Sequence, residues 1–143
     1  MRMILTLVLG LSATSASSAE KLAGPVYAEL VRVVDGDTIL VTARPWPQHA
    51  ISVLVRIRGI DTAELKSRCT TQKALALEAK QALSHRLGPH GALSLRNIAG
   101  GKYFGRVVAD VETSDGKDAA SYMLALGLAR PYGGGKRRDP CPR

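Results

Sequence analysis

Acidic side chains are scarce in this sequence, twelve Asp and Glu against twenty Lys and Arg, and they are unevenly spread. Aromatic residues make up only 4% and hydrophobic residues 45%, which allows one small domain with a modest, mainly aliphatic core rather than two domains. The two cysteines, Cys69 and Cys141, show no spacing suited to zinc. The three histidines, His49, His85 and His90, are scattered and supply no metal or proton-transfer centre. No Ser/His/Asp arrangement, P-loop or dinucleotide fingerprint is present. Nor is there a long hydrophobic run: the apolar stretch at residues 3–11 is about half of the ~20 residues that a membrane-spanning helix needs.

That short run has a different meaning. Arg2, the apolar stretch and the small residues Ser17, Ser18 and Ala19 have the anatomy of a secretory signal peptide, residues 1–19, which predicts export to the periplasm or medium. Its removal takes away Arg2 and lowers the formal net charge from +8 to +7. Such a small basic domain suits polyanions, because neutralising phosphates releases counterions from a nucleic acid. In an exported protein, two distant cysteines point to a disulfide, which would tie a loose tail back to the domain.

The remaining chain reads as residues 20–132 plus a basic Gly- and Pro-rich tail, residues 133–143. Residues 20–25 read as a flexible lead. A strand at 26–34 ends on Asp35-Gly36, a hairpin dipeptide whose glycine tolerates positive φ. Return strands follow at 38–42 and 51–57, separated by a loop at 43–50 in which Pro45 and Pro47 should stop a central strand. In the third strand Arg56 alternates with Val55 and Ile57, so it should project from the opposite face. Residues 73–87 predict a helix capped by Thr70 or Thr71, with Leu75, Ala79, Ala82, Leu83 and Leu87 on the sheet-facing side. Strands at 92–98 and 106–112 flank a glycine-rich turn, and Asp118 caps a shorter helix at 119–126. The order predicts an α+β chain: a five-stranded antiparallel barrel with two or three helices.

Between Leu30 and Leu77 the only acids are Asp35, Asp37, Asp61 and Glu64, confined to two short segments of this basic chain. Phosphodiester hydrolysis requires a group to take the water's proton, charge neutralisation at phosphorus and stabilisation of the leaving oxygen. Carboxylates, guanidinium groups and a hard cation held by oxygens meet those needs, and the acids here favour calcium over zinc.

The ordered set Asp35-Gly36-Asp37-Thr38, Arg56, Asp61-Thr62-Ala63-Glu64 and Gly105-Arg106 resembles the staphylococcal (micrococcal) nuclease family from Glu29 to Tyr132. The resemblance implies an oligonucleotide/oligosaccharide-binding (OB) fold. It implies Ca2+ on Asp37, Asp61 and the Thr62 carbonyl, with Asp35 behind them. It also implies Glu64 as general base, and Arg56 and Arg106 on the phosphate. Tyr103 and Tyr132 would contact substrate. Ala63 stands where the family often has proline, and the family's long C-terminal helix has no counterpart. The expected activity is Ca2+-dependent hydrolysis of DNA and RNA with little sequence preference by a monomer, leaving 3′-phosphate and 5′-hydroxyl ends. The alternatives are a catalytically inactive OB-fold nucleic-acid-binding module and, more remotely, an envelope domain for anionic surfaces.

Overall fold

The computed structural model describes residues 20–135 and residue 141. The expected leader, residues 1–19, and tail residues 136–140 and 142–143 lie outside the described residues. A short strand β1 (Lys21–Leu22) precedes β2 (Val26–Asp35), β3 (Thr38–Trp46) and β4 (His49–Ile57), a meander. The chain continues through β5 (Ile60–Thr62), helix α1 (Thr70–Leu87), β6 (Ala92–Gly100), β7 (Arg106–Thr113), helix α2 (Ala119–Ala125) and β8 (Ala129–Pro131).

Strands β2, β3, β4, β7 and β6 close on one another as a five-stranded barrel, because β6 pairs with both β2 and β7. This is the expected OB architecture except at one seam, where β4 and β7 run parallel rather than antiparallel. Parity requires it, since five strands cannot alternate direction all the way round a closed ring. Alternating side chains of β3, β4 and β7 fill the interior, with Ile39, Val41, Val55, Ala109 and Val111 wholly buried. In β2 the buried positions pass from Val26, Ala28 and Leu30 to Val33, and a register shift between Leu30 and Arg32 produces that change of phase.

Other local expectations need correction. Residues 43–50 are not a wide loop: β3 and β4 run on to pair Trp46 with His49, and a register shift between Ala43 and Trp46 accommodates Pro45. The expected flexible lead contains β1, which pairs with β6. Helix α1 is capped by Cys69 rather than Thr70 or Thr71, and the cap makes no side-chain hydrogen bond. Its buried face is Ala76, Ala79, Leu83 and Leu87, whereas Leu75 is 42% exposed. Asp118 does cap α2, accepting from the Ser121 N–H at 2.8 Å. Among the described residues, no helix is long and apolar enough to cross a membrane.

Two features lock the site end of the barrel. Gly36 matters through space, not positive φ: a Cβ there would lie 2.7 Å from Ala79 Cβ and 2.9 Å from Thr62 Oγ1, so the β2–β3 turn packs directly on α1 and β5. Gly127, at φ +69°, turns the chain out of α2 into β8, which pairs with β5 and sets Arg130 opposite Asp61.

Candidate active site

Asp37 begins just before β3 and Asp61 lies at the centre of β5, and both are almost fully buried, at 3% and 2% exposure. Burial of two carboxylates is tolerable only with charge-assisted partners. Arg56 supplies them. It projects outward from β4 opposite Thr38, as its alternation with the buried Val55 and Ile57 predicts. Its Nη1 pairs with Asp37 Oδ1, while its Nη2 donates to Asp61 Oδ1 at 3.1 Å and to the Ile60 carbonyl at 3.2 Å.

The remaining oxygens are also engaged. Asp37 Oδ2 accepts from the Thr62 N–H at 3.0 Å and Oδ1 from the Thr38 hydroxyl at 2.9 Å. Asp61 Oδ2 accepts from Arg130 Nη2 at 2.7 Å and Nε at 3.1 Å. Asp35 lies behind Asp37, its Oδ1 accepting from the Asp37 N–H at 3.2 Å.

These contacts push neighbouring carboxyls in opposite directions. Burial raises Asp37, but the charge and hydrogen bonds of Arg56, helped by Asp35 and the Thr62 N–H, outweigh it and hold the carboxyl below its ordinary range. Asp35 is raised, first by burial and then by the negative charge of Asp37. Arg56 is raised despite burial, because Asp37 and then Asp61 favour its charged form.

Of the residues singled out in the sequence, Asp37, Arg56, Asp61 and Thr62 therefore form one connected group. Tyr132 joins it: its ring lies 5.8 Å from the Arg56 guanidinium, and its N–H donates to the Gly59 carbonyl at 2.8 Å. Arg106 occupies the same outer face of the barrel, opposite Leu54, while Arg56 stands opposite Val108. Two residues of strand separate those rows, about 7 Å. The Arg106 guanidinium stacks 4.9 Å from the Tyr103 ring centre, and its buried Nε makes no hydrogen bond among the described residues. Tyr103 is thus the aromatic held by the arginine, and Phe104 beside it is fully exposed.

Glu64 is exposed and lies beyond Thr62 in a turn where its carbonyl accepts from the Ser67 N–H at 3.0 Å. Close by, the expected disulfide joins Cys69 and Cys141, with Cα atoms 5.8 Å apart, and the Ser67 hydroxyl approaches the two sulfurs at 3.6 and 3.3 Å. The chain after β5 is therefore fastened to the start of α1 and to the tail.

Arg130 is the site residue that sequence reasoning missed. It is 69 residues from Asp61, in a three-residue strand with no periodic signal, and only the β5–β8 pairing brings the two together.

The donor set is compatible with a hard cation. Asp37 and Asp61 each direct an oxygen to the Arg56 guanidinium, which occupies the point on which they converge, and the Thr62 carbonyl is adjacent to Asp61 in sequence. Among the described residues, no group of three or more His, Cys, Asp or Glu side chains is arranged to hold a metal ion. Two carboxylates and a carbonyl would leave several of calcium's six to eight positions to water and phosphate oxygens.

No curated protein matches the chain. Residues 54–140 match the family described as staphylococcal nuclease homologue, a stretch containing Arg56, Asp61, Thr62, Glu64, Tyr103, Arg106 and Tyr132. Asp35 and Asp37 precede that stretch, but the β2–β3 hairpin carries them to it. The match and the closed barrel establish a nuclease-like or nucleic-acid-binding OB-fold module. With more than half of its length matched, the chain belongs to the staphylococcal nuclease homologue family.

Proposed function

We propose that this protein is an exported, Ca2+-dependent nuclease that hydrolyses phosphodiester bonds of DNA and RNA with low sequence specificity. The ends would be 3′-phosphate and 5′-hydroxyl. The observation that carries the reading is the convergence of Asp37 and Asp61 on Arg56, with Glu64 three residues beyond Asp61 in the family-matched stretch.

Each side chain has a task its chemistry supports. Glu64, in contact with solvent, takes the proton of an attacking water. Arg56, held charged by its partners, offers paired N–H donors to phosphate oxygens. Arg106 brings a second guanidinium to the same barrel face for the charge that builds on phosphate and leaving oxygen. Tyr103 and Tyr132 provide ring faces beside those arginines. Asp37, Asp61 and the Thr62 carbonyl would hold calcium, with Asp35 steadying Asp37. Calcium, when bound, supplies positive charge to phosphate and water oxygens. Export is supported by the leader-like residues 1–19 and agrees with the disulfide.

The test is degradation of single-stranded DNA and of RNA by the mature protein, in calcium and in a chelator, beside Glu64→Gln. Cutting should require calcium and fall about 10²–10⁴-fold in the variant. Failure to degrade either polymer in excess calcium would sink the reading. One observation favours the second reading, a binding module without catalysis: Arg56 and Arg130 already satisfy oxygens of both prospective calcium ligands. Tight binding without cutting would establish it.

A further inference from the structure

A cleft of about 550 Å³ opens on the side of β5 that leads into the Glu64 turn. Its walls include Glu64, Lys66, Arg68, Leu75, Leu128 and Arg130, and the Cys69–Cys141 disulfide closes one edge through Cys141. Arg56, Arg106, Tyr103 and Tyr132 are not among its walls. The Asp61–Glu64 segment therefore stands between two territories: the barrel face already described and this cleft, whose walls set Lys66, Arg68 and Arg130 against the segment's own Asp61 and Glu64.

We propose that the cleft is a second nucleotide subsite, holding the unit adjoining the scissile phosphate of a single-stranded nucleic acid. The proposal rests on the nuclease reading for the position of that phosphate. A phosphate at Arg56 and Arg106 leaves a polymer to continue across Asp61 and Glu64, and the cleft is the recess that receives it.

Its size lies within the range of small-ligand sites. Its chemistry matches a nucleotide in both halves. The exposed Lys66 provides a cationic group for backbone phosphate, and Arg68 and the Asp61-paired Arg130 add positive charge beside it. Leu75, 42% exposed at the helix surface, and Leu128, packed at the edge of the core, provide apolar surface for a sugar or an unstacked base. Leu75 falls outside the buried stripe of α1, so the core does not account for its exposure; a ligand in the cleft would cover it. Arg130 links the two territories, because two of its nitrogens hold Asp61 while its half-exposed side chain borders the cleft.

The test uses the mature disulfide-bonded protein with an oligothymidylate series from one to four units. Affinity is read by competition against a labelled oligonucleotide in chelator, and kcat and KM are read separately in calcium. Adding one unit past the scissile position, on either its 5′ or its 3′ side, should tighten binding about tenfold. Lys66→Glu and Leu75→Asp should flatten that step and raise KM with kcat retained, while the mononucleotide binds as before. Both positions are surface-exposed, and thermal melting of each variant, with Leu75→Ala as a milder second change, shows whether the fold is kept.

A length step unchanged in folded variants that still cut would overturn the subsite and leave the nuclease reading standing. Equal weakening for every length, mononucleotide included, would overturn it too, as a diffuse charge effect. A flattened step in a protein that cuts nothing would support the subsite and remove the catalytic reading.

Discussion

Asp61 and Glu64 are three residues apart and occupy opposite environments. Asp61 is closed off from water between Arg56 and Arg130, in a strand paired on one side. Glu64 is exposed in a turn whose neighbours are held by a disulfide from the far end of the chain. The contrast separates two ways of positioning a charge. The buried group is fixed by ion pairs inside the fold; the exposed group sits on a fastened turn and can change without disturbing the core.

The largest effect should come from breaking the buried side. Asp61→Ala takes one of two carboxylate partners from the largely buried Arg56 and the carboxylate partner from the half-exposed Arg130, and should cost roughly 3 kcal/mol of stability, read from urea midpoints, whereas Glu64→Ala should cost under about 0.5 kcal/mol. Similar losses for the two would dissolve the contrast. Cutting the fastening comes next: Cys141→Ser opens the covalent link across 72 residues and should cost about 2–4 kcal/mol. It should also lower kcat more than it weakens substrate binding, because the Glu64 turn loses its anchor while Arg56 and Arg106 stay on the barrel. Unchanged kcat in a folded Cys141→Ser protein would show that the turn holds itself.

A smaller loss, about 1–3 kcal/mol, is expected for Gly36→Ala, whose Cβ must push on Ala79 and Thr62. The same methyl group shifts the turn that delivers Asp37, so the melting temperature and the calcium concentration needed for the proposed cutting should change together.

The sequence was informative where a signal is local or periodic. The strands of the barrel, the Asp118 cap, the outward direction of Arg56 and the Cys69–Cys141 pair were all legible, because alternation, capping chemistry and cysteine scarcity each act at short range or leave few choices. The ends of elements were not. Pro45 lacks the N–H of a central strand residue, yet a local register shift accommodates it. Leu75 fitted a helical stripe by spacing, but the helix presents a narrower face led by Ala76 and Ala79. Arg130 was hidden for a stronger reason: its meaning exists only once β8 lies against β5, and a three-residue strand carries no pattern of its own. The Gly36 requirement was seen as turn chemistry and proved to be a matter of contact distance.

The smallest effect sharpens the contrast within the buried side itself. Asp35 and Asp37 are two residues apart, and their carboxyls are displaced in opposite directions from the ordinary 3.8. A depressed carboxyl contributes stability above its unfolded value and loses it as pH falls through the lower folded value; this is Asp37, whose contribution fades below about pH 3.8. A raised carboxyl acts the other way: Asp35 binds its proton more tightly in the folded state, so its ionised form opposes folding above the raised value. Asp35→Asn keeps an oxygen that can accept from the Asp37 N–H and removes the charge repelling Asp37. The melting temperature of Asp35→Asn at neutral pH should therefore rise slightly above that of the parent, and the gain should vanish as pH is lowered through 3.8. A fall in melting temperature at neutral pH would mean that the Asp35 charge supports the turn, contrary to the burial and repulsion that act on it.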